Sequence, residues 1–183
     1  EAERKTLALP SILSPVQSPG KHLPKPTPAN LRRFAETPVV RRAINVIKDR
    51  IAAMDWQVRV RRGVVADEVT FLPDKLRALR RTLEEPNPAD SFRTLMEQTI
   101  EDALTGGFGA IEMEPTGDPD RPAMLWPVDG TSVRINAKWD GQRDWPRYAQ
   151  AVPGQPDSSA VELRDDQLMY SRMNPRSFTP FGL

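Results

Sequence analysis

The sequence contains no cysteine and one histidine among its 183 residues. The first absence excludes disulfides and thiolate metal sites, and it fits a reducing cytosol. Charge of one sign is lacking too: 26 Lys and Arg stand against 25 Asp and Glu, a formal net charge of +1. Such a chain has no long-range field to steer it toward a phosphate polymer, so any nucleic-acid contact must be local. Apolar runs fall far short of the roughly 20 residues a membrane-spanning helix needs, which argues against a membrane partner. No basic segment followed by an apolar stretch opens the chain as a secretory signal would. The first residue is Glu1 rather than Met, and the last five, Thr179 to Leu183, are turn formers; both ends read as fragment boundaries.

What is present supports a folded domain. Hydrophobic residues make up 38% and charged residues 28%, far from the composition of a disordered chain. A chain of this length buries about 70% of its unfolded surface.

Residues 1–30 read as a proline-rich extended arm, and residues 31–183 as one α+β domain. Between positions 7 and 30 lie Pro10, Pro15, Pro19, Pro24, Pro26 and Pro28, which remove helix donors and favour a semi-rigid extended spacer, either a solvated linker or a docking arm. Thr37-Pro38 then has the N-cap and first-position signature of a helix. Val40, Ile44, Ile47 and Ile51 recur at helical spacing beside Ala43 and Met54. Trp56, Val58 and Val60 alternate with Gln57, Arg59 and Arg61, the period of a half-buried strand, and Val69-Thr70-Phe71 is placed to pair back on it.

A second helix is expected from Asp74 to Glu84 with Leu76, Leu79 and Leu83 on one face, ended by Pro86-Asn87-Pro88. A third, from Ser91, carries Phe92, Leu95, Met96, Ile100, Ala103 and Leu104, and Gly106-Gly107 supplies a left-handed cap. Ile44, Ile47, Ile51, Leu95, Ile100 and Leu104 are the expected helical core. Short strands follow at Phe108–Glu114, Met124–Val128, Ser132–Ala137, Trp145–Val152 and Leu168–Arg172. Thr116-Gly117-Asp118-Pro119 is a turn cluster, and Asp129-Gly130 and Asp140-Gly141 are hairpin-type dipeptides. Helices first and an antiparallel meander afterwards indicate an α+β fold, with N-terminal helices packed on a mostly antiparallel sheet of short strands.

Catalysis needs a nucleophile near a base, a carboxylate pair in a cleft or a metal-ligand cluster. His22 lies in the proline-rich arm, where nothing fixes an imidazole. Glu112 and Glu114, two apart on one strand, with Asp118 and Asp120 in the following turn, form the only acidic constellation that suggests a hard cation or an unrecognised enzyme site. Its spacing matches no established loop, and a solvated strand face explains it as well. Gly106-Gly107-Phe108-Gly109 precedes a strand, whereas phosphate-cradling loops follow a strand and open a helix. We therefore expect no catalytic residues, cofactor or metal. Arg59, Arg61 and Arg62 are the candidates for phosphate or subunit contacts, with Arg41, Arg42, Arg80 and Arg81 as further basic positions. Asp49, Asp67 and Glu68 are interspersed and no aromatic stacking ladder accompanies them, so a mixed surface competes with a nucleic-acid-binding strand face.

The order of three stretches resembles the tailed-bacteriophage portal protein family, in its N-terminal wing portion. Pro38 to Val58 is similar to the family's opening helix with repeated aliphatic positions, a Trp and a strand. Leu83-Glu84-Glu85-Pro86-Asn87-Pro88, Ser91-Phe92 and Asp102 to Ile111 resemble its Pro-Asn-Pro turn, long helix and glycine-led strand. Leu125 to Ile135 resembles a strand with Leu-Asp-Pro before a polar turn, although Trp126-Pro127-Val128-Asp129 departs from that order. Met173-Asn174-Pro175-Arg176 and Phe181-Gly182-Leu183 are similar to the segment leading into later helices.

The resemblance implies a structural, non-enzymatic subunit of a head-tail connector ring, typically dodecameric. Such a ring sits at a capsid vertex of the virion, is assembled in the host bacterial cytoplasm and passes double-stranded DNA through its channel. The partners it implies are other portal subunits, the terminase large subunit, the major capsid or scaffolding protein, and head-completion proteins. The stem helix, clip and crown belong further along such a chain, and the residues present correspond to the wing.

Overall fold

The computed structural model describes residues 27–59, 72–152, 154, 156, 159–173, 175–176 and 179–182. Four helices lead: α1 (Pro28–Ala35), α2 (Pro38–Ala52), α3 (Leu72–Glu84) and α4 (Phe92–Gly106). Eight strands follow: β1 (Phe108–Asp118), β2 (Arg121–Val128), β3 (Val133–Ile135), β4 (Tyr148–Gln150), β5 (Val161–Leu163), β6 (Leu168–Arg172), β7 (Pro175–Arg176) and β8 (Thr179–Gly182). The fold is α+β, as the sequence indicates. No helix among the described residues is long and apolar enough to cross a membrane.

The helices begin where capping chemistry allows. Ser91 accepts a hydrogen bond from the Thr94 amide (3.2 Å) at the start of α4, and Gly107 ends that helix at φ 86°, a conformation that costs glycine little. The unexpected helix is α1. Its Thr27-Pro28 start repeats the Thr37-Pro38 signature, and the Thr27 hydroxyl accepts from the Asn30 amide (3.3 Å); Pro28 to Asn30 are therefore helical rather than extended. At α2, Thr37 stands at the cap position without a side-chain cap bond. Its hydroxyl instead donates to the Phe34 carbonyl (2.8 Å), tying α2 back to α1.

The strands form three antiparallel sheets, ordered β2-β1-β6, β3-β4-β5 and β7-β8. In the first, Ala110 opposes Val128 on one side and Tyr170 on the other. That face meets the second sheet in a core of Ala110, Val128, Val133, Tyr148, Leu163 and Leu168, with Ile135 and Tyr170 packed against it. The opposite face receives the helices: α4 packs on β1 and β2, and α3 on β2. Pro86 and Asn87 lock the turn between α3 and α4 onto β2. The Leu125 amide donates to the Pro86 carbonyl (2.7 Å), and buried Asn87 donates to the Leu125 carbonyl (2.8 Å) while its Oδ1 accepts from the Ala89 and Asp90 amides.

Several expectations need correcting. Trp56 to Arg59 form no strand; Trp56 turns in to pack on Phe92 at a tilt of 43°, ring centroids 4.7 Å apart. Ile44 and Leu95 are buried, but Ile47 and Ile51 are exposed and Ile100 and Leu104 half-buried. On α3 the innermost residues are Ala78 and Thr82, and Leu79 faces solvent. Asp129-Gly130 opens a 3-10 turn (Gly130–Ser132) that carries the chain from the first sheet to the second, not a hairpin. Asp140-Gly141 does lie in the β3–β4 connection, but within a loop spanning 136–147. The strand expected at Val69–Phe71 lies outside the described residues.

Candidate functional site

The fold draws some of the residues with chemical promise into structural joints and leaves others at the surface. Arg59 lies beyond the end of α2, exposed, and donates from Nε and Nη2 to the Gln57 side-chain oxygen at 3.0 and 2.5 Å. Arg61 and Arg62 lie outside the described residues. The regular strand face that a basic reading surface would need is not formed at Trp56–Arg59. In its place, Met54, Trp56, Val58, Arg80, Glu84 and Phe92 border a groove of about 890 Å³.

The other arginines divide. Arg41 is drawn inward to Glu101 (Nη1–Oε1 2.6 Å) and also meets Glu36. Arg80 pairs with Glu84 along α3 (2.8 Å), whereas Arg42 and Arg81 are exposed.

The acidic constellation is likewise taken up locally. Glu112 and Glu114 oppose Trp126 and Met124 in β2, and the Trp126 indole N–H donates to Glu114 Oε2 (2.8 Å). In the hairpin tip, Asp118 Oδ1 accepts from the Asp120 amide (2.9 Å). Among the described residues, no group of three or more His, Cys, Asp or Glu is placed to share a metal ion.

Gly106, Gly109 and Gly130 make close contact between α4, β1 and the 3-10 turn. A Cβ on Gly109 would lie 2.8 Å from the Thr99 carbonyl oxygen, and one on Gly130 only 2.4 Å from that of Phe108. Bare backbone is needed there for packing, which accounts for the glycines without a phosphate. Tyr170 offers no base: burial, the largest cause, raises its pKa to about 12, and the ring stacks on Phe108 at 5.9 Å and meets Tyr148 at a tilt at 5.7 Å.

The principal electrostatic feature escaped the sequence reading because its members are far apart in the chain. Glu101 on α4 receives Arg41 and Lys48 (2.9 Å), which stand about two turns apart on α2. Burial alone would raise its pKa, but the two cations overcome that and lower it. Nearby, Arg32 of α1 meets Asp129 (2.5 Å) and donates to the Thr131 hydroxyl (3.2 Å). Burial again opposes ionisation, yet Arg32 and Thr131 hold Asp129 below the usual carboxylate range. Asp102 is pushed up to about 6 by burial and then by the Asp129 charge, which the Arg32 charge only partly offsets. Together these groups bind α1, α2, α4 and the 3-10 turn into one unit. The only sequence signal was the heptad spacing of Arg41 and Lys48, which places both on one helical face.

The family model for phage portal proteins matches residues 38–183. Among curated proteins nothing matches. Among solved structures, a chain from the virion of a native gene transfer agent particle is similar with a TM-score of 0.63 and 21% identity. A chain from the neck of an empty particle of that kind gives 0.61 and 21%. In each case the similarity covers 85% of this chain and 38% of the other, so the chain spans well under half the length of those structural relatives. A match over 146 of the 183 positions, with the helix, turn and strand order in place, makes the chain a member of the phage portal protein family.

Proposed function

We propose that this chain is the wing portion of a portal ring subunit, a structural and non-enzymatic part of a virion's head-tail connector. The observation that carries this reading is the family match across residues 38–183, joined to a fold in which the groups suggestive of chemistry serve as structural joints. The solved neighbours come from a gene transfer agent virion and the neck of such a particle, which is the setting proposed for this protein. In that reading the full-length subunits close a ring, typically of twelve, at one capsid vertex, and double-stranded DNA passes through it during packaging and ejection. The terminase large subunit, the major capsid or scaffolding protein and head-completion proteins are the proposed partners, assembly taking place in the host bacterial cytoplasm. The stretch proposed as an arm is residues 1–30 less Pro28–Asn30, which open α1 and so join the domain of residues 31–183. Arg59, Arg61 and Arg62 are proposed as subunit contacts rather than a DNA-reading surface.

Native mass spectrometry of the full-length protein, with electron microscopy of the same sample, tests the reading. A closed ring with a central channel is expected. A monomer at tens of micromolar, with no ring in particles made in the host, refutes it.

A further inference from the structure

The stretch from Leu7 to Pro19 is unlike an ordinary linker. It carries no charged residue, in a chain with 28% charged residues, and it holds the large aliphatics Leu7, Leu9, Ile12, Leu13 and Val16. Solvated linkers are built instead from Gly, Ser and charged residues. A polyproline II chain turns once in three residues. At that spacing Leu7, Pro10, Leu13, Val16 and Pro19 fall on one edge, Leu9, Ile12 and Pro15 on a second, and Ala8, Ser11, Ser14 and Gln17 on the third. The sequence therefore suits an extended chain with two apolar edges and one small, mostly polar edge, and such a chain gains by covering its apolar edges.

The domain offers a surface of matching kind. A groove of about 890 Å³ lies where the end of α2 meets the start of α4, a volume within the roughly 300–1,000 Å³ of ordinary ligand sites. Trp56 and Phe92 border it as a tilted ring pair. Met54, 60% exposed, and half-buried Val58 stand beside them. Grooves lined by aromatic rings take proline-rich segments because a polyproline II chain is preformed and loses little entropy on docking. Such a chain leaves its carbonyls unpaired, which gives the Trp56 indole N–H acceptors to donate to.

We infer that residues 7–19 dock in the Trp56–Phe92 groove of their own chain. Reach and tethering both select the same chain. Arg32 of α1 donates to Thr131 (3.2 Å), and Thr131 lies against Gly106 at the end of α4, so the middle of α1 stands at the end of α4 away from Phe92. Helix α4, of 15 residues, is about 22 Å long, and the stretch from Arg32 back to Thr27 adds at most about 8 Å. The chain must therefore cover about 30 Å along the helix. At about 3.1 Å per residue, the span from Leu13 to Thr27 reaches about 43 Å, enough to bring Leu13 to the groove. A tether of this kind holds the segment at an effective concentration of about 1 mM, so a contact with a dissociation constant of about 100 μM is closed about ten times as often as open. The inference is independent of the ring reading, since segment and groove belong to one chain.

The test uses the full-length protein with the photoreactive residue p-benzoylphenylalanine in place of Leu13. Irradiation is expected to give a cross-link within one chain, mapped by mass spectrometry to Met54–Val58 or to Phe92. In a mixture of isotopically labelled and unlabelled subunits, the cross-linked peptides are expected to carry one label only. Peptides of mixed label would place another copy's arm in the groove and overturn the inference; so would cross-links elsewhere in the domain, or none. The second arm of the test is Leu13→Ser with Val16→Ser, two changes outside the helices and sheets. Deuterium exchange of amides 54–58 is expected to become about tenfold faster in this variant, the protection that a contact closed ten times in eleven supplies. Exchange equal to the parent's would mean that the groove is open or that another segment, residues 60–71 included, covers it, and overturns the inference.

Discussion

Truncating Leu95 and truncating Ile47 separate the two roles of the helical aliphatics. Leu95 is 1% exposed, packed between α4 and the sheet. Leu95→Ala removes the transfer free energy of its buried methylenes and leaves a cavity the rigid sheet cannot close, a loss of about 3–5 kcal/mol. A domain of this size has about 5–15 kcal/mol of stability in all, so at least a fifth of it disappears, and the lower end of that range leaves the variant partly unfolded at 37 °C. Ile47 is 43% exposed on the outer side of α2. Its truncation removes only the covered part of the side chain and creates no enclosed void, about 1 kcal/mol. With a urea dependence of about 2 kcal/mol per molar, the midpoint falls by about 1.5–2.5 M for Leu95→Ala and by about 0.5 M for Ile47→Ala. Equal midpoint losses at the two positions would refute the assignment of Leu95 to the core and of Ile47 to the outer side of α2.

Three further outcomes follow from the joints. Asp102 has a folded pKa of about 6, above its ordinary 3.8, so its contribution to stability is full below that ordinary value and is lost as pH rises through 6. Asp102→Asn should therefore melt higher than the parent at pH 7.5 and converge with it near pH 4, as thermal melts across that range will show. Glu101 is shifted the other way, and Glu101→Gln should cost about 1 kcal/mol near neutrality, shrinking as pH falls through the depressed pKa or as salt rises; denaturant titrations in low and high salt check it. Gly109→Ala forces a methyl to 2.8 Å from the Thr99 carbonyl and should cost about 1–3 kcal/mol, with near-ultraviolet dichroism reporting displacement of α4 from β1.

Local signals were legible wherever one residue type has one structural use. Ser91 as a cap, Gly107 in the left-handed region and Pro86-Asn87-Pro88 as a stop all stand where the sequence puts them. Helix faces were less legible, because α2 carries aliphatic residues on more than one side: periodicity shows that Ile44, Ile47 and Ile51 share a side but not that Val39 and Val46, on another, face outward. The alternation at Trp56-Gln57-Val58 imitates a strand, yet a strand needs a partner to satisfy its backbone, and Trp56 gains more by covering Phe92. Short strands such as β5 are set by register against β4 rather than by their own three residues. The ion clusters around Glu101 and Asp129 join residues up to 97 positions apart, a distance at which no spacing rule operates.

Helices that must keep their place on a sheet need more than apolar contact, which is non-directional and lets layers slide. The joints here are directional and lie on the helical side: Asn87 and Pro86 fix the α3–α4 turn to Leu125, Gly109 sets α4 against β1, and Glu101 takes both cations of α2. With α2 fixed from its inner side by two charged groups, its outer side is free to be apolar without the helix rolling to bury it. The Glu101 pairs and the exposed valines are thus parts of one arrangement. Loss of the former should loosen the orientation of the latter, so in Glu101→Gln the backbone amides of α2 should exchange with deuterium faster than in the parent even at temperatures where the domain remains folded.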